Sequence, residues 1–254
     1  EEKNKYITDS INYAQTIQSS ILMHQEEITR IFPEHFIFYR PKDIVSGDFY
    51  WFAQADGVKL AAVVDCTGHG VPGSMLSMIG NQILNSIIAE GIFAPAKILQ
   101  RLNIEIKRSL SHKGYKSSRE GMDVCMIRMD SAGITFAGAH RPLYVITDRK
   151  FEEFKGDRKS IGGRTPDDFR FSEHRLIPEH VDIDDPMLYL TSDGYHDQND
   201  PDDENYGIRR FRSLLKSISH LPLQNQQEML DTELREFMKD EKQRDDITVV
   251  GIRV

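Results

Sequence analysis

Four carboxylates placed at the ends of strand-like apolar runs constrain this chain more than any other feature. They lie in Ser46-Gly47-Asp48, Asp65-Cys66-Thr67-Gly68-His69-Gly70, Thr191-Ser192-Asp193-Gly194 and Arg244-Asp245-Asp246-Ile247-Thr248. Each abuts a β-type run and a glycine or other turn residue, where a sheet holds a side chain rigidly with its tip open to solvent. Carboxylates gathered at such ends without cationic neighbours repel one another unless a cation sits among them. The simplest resolution is a site for two hard divalent ions, since aspartate oxygens suit Mg2+ or Mn2+ over zinc. One Asp-Gly alone reads as a turn; the context shared by all four carries the reading. Asp65 is the clearest case, because Leu60-Ala61-Ala62-Val63-Val64 reads as a buried strand that ends in this carboxylate and a Gly-rich turn into a helix. Two ions about 3.5 to 4 Å apart can clamp a phosphate and generate hydroxide from a bridging water at neutral pH.

The apolar pattern predicts how such ends are assembled. Ile7, Ile11, Ala14, Ile17, Ile21 and Ile28 recur at helical steps, predicting one helix over residues 6–31 closed by Pro33. Gln18 and Gln25 fall where a tight two-stranded seam would want Leu or Ile. This helix is either laid on its own domain or is a signalling linker or dimer helix. Strands follow at 36–40, 48–54 and 59–65, with Ala55-Asp56-Gly57 as a hairpin turn. Helices are expected from Pro72 to Gly91 and over 95–110, then a basic, polar and mobile connection over 111–121. Strands return at 122–129, 133–137, 143–147, 151–154, 171–176 and 187–191, before helices at 208–219 and 223–239 and a last strand at 247–254. Helix pairs separated by antiparallel runs predict an α+β, four-layer α-β-β-α sandwich of two mainly antiparallel sheets flanked by helix pairs. The expected division is an N-terminal linker or regulatory helix over residues 1–33 and one domain over 34–254.

Bulk properties narrow the function. At 254 residues the chain can bury a sizeable core, and 39% hydrophobic with 28% charged residues is ordinary for a globular protein. The net charge of −8, without a dense Lys/Arg tract, excludes a general nucleic-acid binder. Cys66 and Cys125 lie in apolar runs outside any metal spacing and read as reduced core residues of a cytoplasmic protein. No apolar stretch reaches the roughly 18 to 20 residues of a membrane span, so no membrane contact is expected of this segment. The chain opens on Glu1 with a pattern that already reads as helix interior, so an upstream segment is expected.

The string Asp65-Cys66-Thr67-Gly68-His69-Gly70-Val71-Pro72-Gly73 resembles the D-x-T-G-H-G-V-P-[AG] signature of SpoIIE/RsbU-type bacterial phosphatases, members of the metal-dependent PPM (phosphatase 2C-like) serine/threonine phosphatases. Val45 to Tyr50, Gly138-Ala139-His140-Arg141-Pro142-Leu143, Ser192-Asp193-Gly194 and Asp245 to Val250 resemble further family elements in family order. The opening Asp9 to Ala14 resembles the linker preceding such domains in multi-domain regulators.

The resemblance implies a site. Asp65 would bridge two divalent ions, Mn2+ or Mg2+, and the backbone carbonyl of Cys66 would join one of them. Asp193 and Asp245 would hold the first ion, and Asp48 the second, directly or through water. Asp246 would brace the site from behind its ligands, or the adjacent pair is assigned the other way round. Metal-bound hydroxide would attack phosphorus in line, without a phosphoenzyme. His69 is either the general acid for the leaving serine oxygen or a turn histidine; His140 reads as structural. The phosphate-binding arginine of eukaryotic relatives has no clear counterpart: Arg40 is near enough in sequence to be considered, or the metals alone hold the phosphate. Tyr195-His196-Asp197-Gln198 stands where many relatives carry an Ile-Thr-Glu-Ala-like run, altering the rim and sparing the ligand.

The implied function is a protein-serine/threonine phosphatase acting on a bacterial regulatory protein, a STAS-type anti-sigma-factor antagonist, under an upstream sensor domain in the same chain. A homodimer through the N-terminal helix is a further expectation. The alternative is a pseudophosphatase or dimeric signalling module that binds a partner without turnover.

Overall fold

The structure, a computed structural model, describes residues 2–111, 120–147, 150–178 and 185–254. Two helices, α1 (Glu2–Ile21) and α2 (Gln25–Ile31), precede strands β1 (His35–Arg40), β2 (Asp48–Ala55) and β3 (Val58–Cys66). Helices α3 (Gly70–Ala89) and α4 (Pro95–Leu110) come next, then β4 (Gly121–Asp130), β5 (Gly133–Ala139), β6 (Leu143–Ile146), β7 (Phe151–Phe154), β8 (Ile161–Gly162), β9 (His174–Pro178) and β10 (Met187–Thr191). The chain ends on α5 (Ile208–Ile218), α6 (Leu223–Met238) and β11 (Ile247–Arg253). One sheet has the order β1-β11-β10-β6-β7; the other is β2-β3-β4-β5-β9, with β8 paired to β4. The named pairings are antiparallel. This is the expected four-layer α+β sandwich. Among the described residues no helix is long and apolar enough to cross a membrane.

The strand period assigns side chains to layers. Along β3, Leu60, Ala62, Val64 and Cys66 face α3 and α4, whereas Ala61 and Val63 enter the layer between the sheets. Along β4, Val124 and Met126 face the helices, and Cys125 and Ile127 face the other sheet. Both cysteines are buried free thiols. On the far side, Ile247 and Val249 pack with α5 and α6 while Val250 and Ile252 point inward. The Asp56-Gly57 turn joining β2 to β3 has φ of 50° and 77°, the left-handed pair that a two-residue hairpin favours.

The helix expected over residues 6–31 is broken at 22–24, giving α1 and α2. The cores explain the break. Leu22 belongs to the layer beneath α3, whereas Ile28, Ile31 and Phe32 plug the layer between the sheets, and one straight helix cannot supply both. Burying each of these side chains is worth roughly 1.5 to 3 kcal/mol as an upper estimate. Gln18, at an expected seam position, is buried: its Nε2 donates to Ser46 O (2.6 Å) and Ser77 Oγ (2.8 Å), and its Oε1 accepts from Ser46 N (3.0 Å). The amide thus ties α1 to α3 and to the loop that carries Asp48.

The strand expected over 171–176 begins only at His174, because Asp157 takes both the backbone N–H (2.6 Å) and the hydroxyl (3.0 Å) of Ser172. Phe171 instead enters the helix-side core. Of the connection expected at 111–121, residues 112–119 lie outside the described residues.

A pH dependence follows from the seat of α2. His35 Nδ1 donates to Phe32 O (2.6 Å) and its Nε2 lies 2.8 Å from Gln25 Nε2, which makes it the acceptor and the ring neutral. Burial lowers its pKa below the ordinary 6.5, outweighing the opposing pull of the Phe32 carbonyl. A depressed pKa contributes stability that is present above the unfolded value and lost as pH falls through the folded one. Urea midpoints should therefore decline below about pH 6.5, and His35→Gln should flatten that decline. Parallel curves for the two proteins would contradict this role.

Candidate active site

Strand register creates the centre of the site. Asp48 on β2 is directly opposite Asp65 on β3, which is directly opposite Asp123 on β4. All three fall on the face that looks toward the other sheet, in step with Phe52, Ala61 and Cys125. Like charges directly opposite one another destabilise a sheet, so such a row points to function. From the facing sheet, Asp193 follows the end of β10 and Asp245 precedes β11. The strand ends of both sheets thus converge at one mouth.

Close backbone approach explains the glycines of the motifs. A Cβ at Gly47 would lie 2.4 Å from Gly68 O and 3.2 Å from Cys66 O, so the Asp48 loop and the turn after Asp65 touch through bare backbone. A Cβ at Gly194 would meet Asp246 O at 2.0 Å, which locks the Asp193 turn against the start of β11.

Electrostatics then distinguish the acids. Asp48 is 2% exposed, and burial pushes its carboxyl well up; Thr248 Oγ1 donates to its Oδ2 at 2.9 Å. Burial also pushes Asp65 well up, reinforced by Asp48 and Asp193, while Arg141 opposes the shift. Asp246, 3% exposed, accepts the N–H of Lys42 (2.8 Å) and of Gly47 (2.7 Å), stapling the 41–47 loop to β11. Asp245 is exposed, and its Oδ1 accepts the next residue's N–H (2.8 Å). Asp246 thus braces the 41–47 loop, and Asp245 is the carboxylate left open.

Two residues at the centre were not anticipated. Arg141 Nη2 lies 2.6 Å from Asp193, 2.8 Å from Asp123 and 3.4 Å from Asp65. Burial works against its charge, and Asp65, Asp193 and Asp123 overcome that, so the guanidinium stays protonated. The signal for Asp123 was present, an acid beside Gly121 at the head of a strand, but no family element drew attention to it. Arg40, considered for phosphate, pairs instead with Asp231 of α6 at 3.5 Å.

His69 Nδ1 meets Asp43 Oδ2 at 2.9 Å on the exposed rim, and among the described residues no hydrogen bond joins it to the central carboxylates. His140 occupies the β5–β6 corner with φ 65° and contacts Asp123 at 3.1 Å. Tyr195 is fully buried with its hydroxyl on Leu230 O (2.9 Å). Gln198 Oε1 accepts the N–H of Arg244 (2.9 Å), bracing the approach to Asp245.

A divalent ion is tested by this donor set. Among the described residues no three His, Cys, Asp or Glu side chains close into a ready-made ion cage; Asp65, Asp123 and Asp193 are spread around the Arg141 guanidinium. That cation marks the place where positive charge is demanded, and the oxygens around it are the hard donors that Mg2+ or Mn2+ takes. The residues fit.

The family model for stage II sporulation protein E (SpoIIE) matches residues 55–254. The chain belongs to the SpoIIE family. Among solved structures, this SpoIIE-family domain is similar to the SiaA-PP2C domain of Pseudomonas aeruginosa, at 34% identity over 99% of this chain and 98% of that one, with a TM-score of 0.84. The phosphatase domain of SpoIIE from Bacillus subtilis, solved with a fragment of its regulatory domain, shares the fold at 19% identity and TM-score 0.65, over 87% of this chain and 63% of that one. The PPM Ser-Thr phosphatase MsPP from Mycobacterium smegmatis does so at 16% identity and TM-score 0.57, over 87% and 98%. No curated protein sequence matches the chain. The SpoIIE family lies within the metal-dependent PPM phosphatases, and this domain is a protein-serine/threonine phosphatase.

Proposed function

We propose that this domain hydrolyses phosphoserine or phosphothreonine on a bacterial regulatory protein, a STAS-type anti-sigma-factor antagonist, in the cytoplasm. The observation that carries the reading is the cross-strand row Asp48–Asp65–Asp123 meeting Asp193 and Asp245 at the mouth between the sheets. Asp65 would hold both of two Mn2+ or Mg2+ ions and the Cys66 carbonyl one of them; Asp193 and Asp245 would hold one and Asp48 the other. Bound there, the ions supply Lewis acidity toward phosphoryl oxygens and an acidified water. The protein's own part is to fix the donors: Thr248 orients Asp48, and Asp246 holds the loop before it. At the rim, Asp43 orients His69 to deliver a proton to the leaving serine oxygen. Turnover is favoured over partner sequestration, because repelling buried acids are a liability to a mere binding surface.

Residues 1–33 form the regulatory element of this reading. Gln18 links α1 to the Asp48 loop, and exposed Tyr6, Ile7, Tyr13 and Ile17 offer α1 a face for a second copy or an upstream sensor. Because α2 contributes to the core, the informative truncation removes residues 1–21. The full chain should hydrolyse p-nitrophenyl phosphate and a phosphorylated STAS-type protein only with Mn2+ or Mg2+, and the truncation should change the second rate by about tenfold. Activity indifferent to chelator would overturn the metal reading. Equal rates with and without residues 1–21 would overturn the regulatory one.

A further inference from the structure

We propose that Arg141 is the phosphoryl-binding residue of this enzyme, held by Asp123 and turned onto the substrate's phosphoryl oxygens once Asp65 and Asp193 take up cations. The inference rests on the metal-site reading above and adds the group that grips the phosphate.

The backbone aims the side chain. Arg141 sits at the β5–β6 corner, after His140 in the left-handed region at φ 65°. His140 N donates to Asp157 O (2.8 Å), and Arg141 N to Ala139 O (2.8 Å). The Arg141 carbonyl is wedged against two glycines: a Cβ at Gly138 would approach it to 2.3 Å, and one at Gly156 to 2.7 Å. The packed corner seats the Arg141 backbone, and the guanidinium reaches Asp65, Asp123 and Asp193 at the mouth between the sheets.

The donors are only half used. Nη2 contacts Asp123, Asp193 and Asp65, whereas the buried Nε has no acceptor among the described residues. A buried donor left unpaired is costly. Nε and Nη2 form one edge of the guanidinium fork, spaced for two oxygens of a phosphate.

The three carboxylates are not equivalent. Asp65 and Asp193 belong to the proposed ligand set, so cations would draw their charge away from Arg141. Asp123 lies outside that set, contacts Arg141 at 2.8 Å and also meets His140. It therefore keeps Arg141 at the site while the remaining N–H groups are released toward the phosphate.

The test uses the full chain loaded with Mn2+, inorganic phosphate as competitive inhibitor of p-nitrophenyl phosphate hydrolysis, and Mn2+ binding by calorimetry. Arg141→Gln should raise the phosphate inhibition constant and KM about ten- to a hundredfold, with a smaller fall in kcat. Mn2+ should bind as tightly or more tightly, since a competing cation has left Asp65 and Asp193. Arg141→Lys, which keeps the charge and loses the fork, guards against a folding defect and should show the same weakened phosphate inhibition. A phosphate constant unchanged in both variants, with Mn2+ still bound, overturns the inference alone. Failure of the wild-type chain to bind Mn2+ overturns the metal-site reading and this inference with it.

Discussion

Asparagine at position 65 is expected to abolish metal-dependent hydrolysis of p-nitrophenyl phosphate while leaving the metal-free protein as stable as wild type or more so. Asp65 lies between Asp48 and Asp123 in one row of facing residues. Burial pushes its carboxyl up, and Asp48 and Asp193 add to the shift, so the ionised form is disfavoured without a cation. Asparagine keeps the size and removes the charge. Arg141 retains its shorter contacts to Asp123 and Asp193, so little attraction is lost. Groups that merely support metal ligands are worth about 10- to 100-fold in metal affinity or activity. A carboxylate shared by two ions should therefore cost more than about 100-fold. Calorimetric melting of chelator-treated Asp65→Asn and wild type, beside their rates with Mn2+, gives both readouts. An active variant, or a metal-free variant that melts well below wild type, would contradict the assignment. Stability gained as activity vanishes is the mark of a site that holds repulsion in reserve for a ligand.

Much of the fold could be read from period alone, and the particulars show where reading stopped. The apolar runs around Leu60 to Val64 and Met122 to Ile127 identified strands, and Asp56-Gly57 identified the turn from β2 into β3, because these signals are local. The motif order carried the family. The break at 22–24 was not legible: Ile21 and Ile28 obey one helical period, and only the packed molecule sends Leu22 and Ile28 to different cores. Gln18 looked like a flaw in a seam because its partners, Ser46 and Ser77, are remote in sequence. Arg141 was missed for a related reason. Its role depends on strand register across β3, β4 and the β5–β6 corner, and nothing in Gly138 to Leu143 indicates which carboxylates that corner faces.

The adjacent pair Asp245-Asp246 should separate cleanly into a structural and a binding role. Asp246 is 3% exposed and its two oxygens take the backbone N–H groups of Lys42 and Gly47. Hydrogen bonds to a charged group contribute about 1.5 to 3 kcal/mol each, so Asp246→Ala should destabilise the metal-free protein by about 3 kcal/mol. It should also free the 41–47 loop that leads into Asp48, lowering activity by about 10- to 100-fold. Asp245 is exposed, and among the described residues its carboxylate engages its neighbour's amide alone. Asp245→Asn keeps that oxygen, so its unfolding free energy should stay within about 0.5 kcal/mol of wild type, while Mn2+ affinity and activity fall. Urea unfolding with chelator and Mn2+ calorimetry distinguish the two. The reverse pattern, a stable Asp246→Ala that has lost Mn2+ and a destabilised Asp245→Asn that has kept it, would exchange the roles. In that case the staple between β11 and the Asp48 loop would be a feature of the metal-free state that the ions themselves undo.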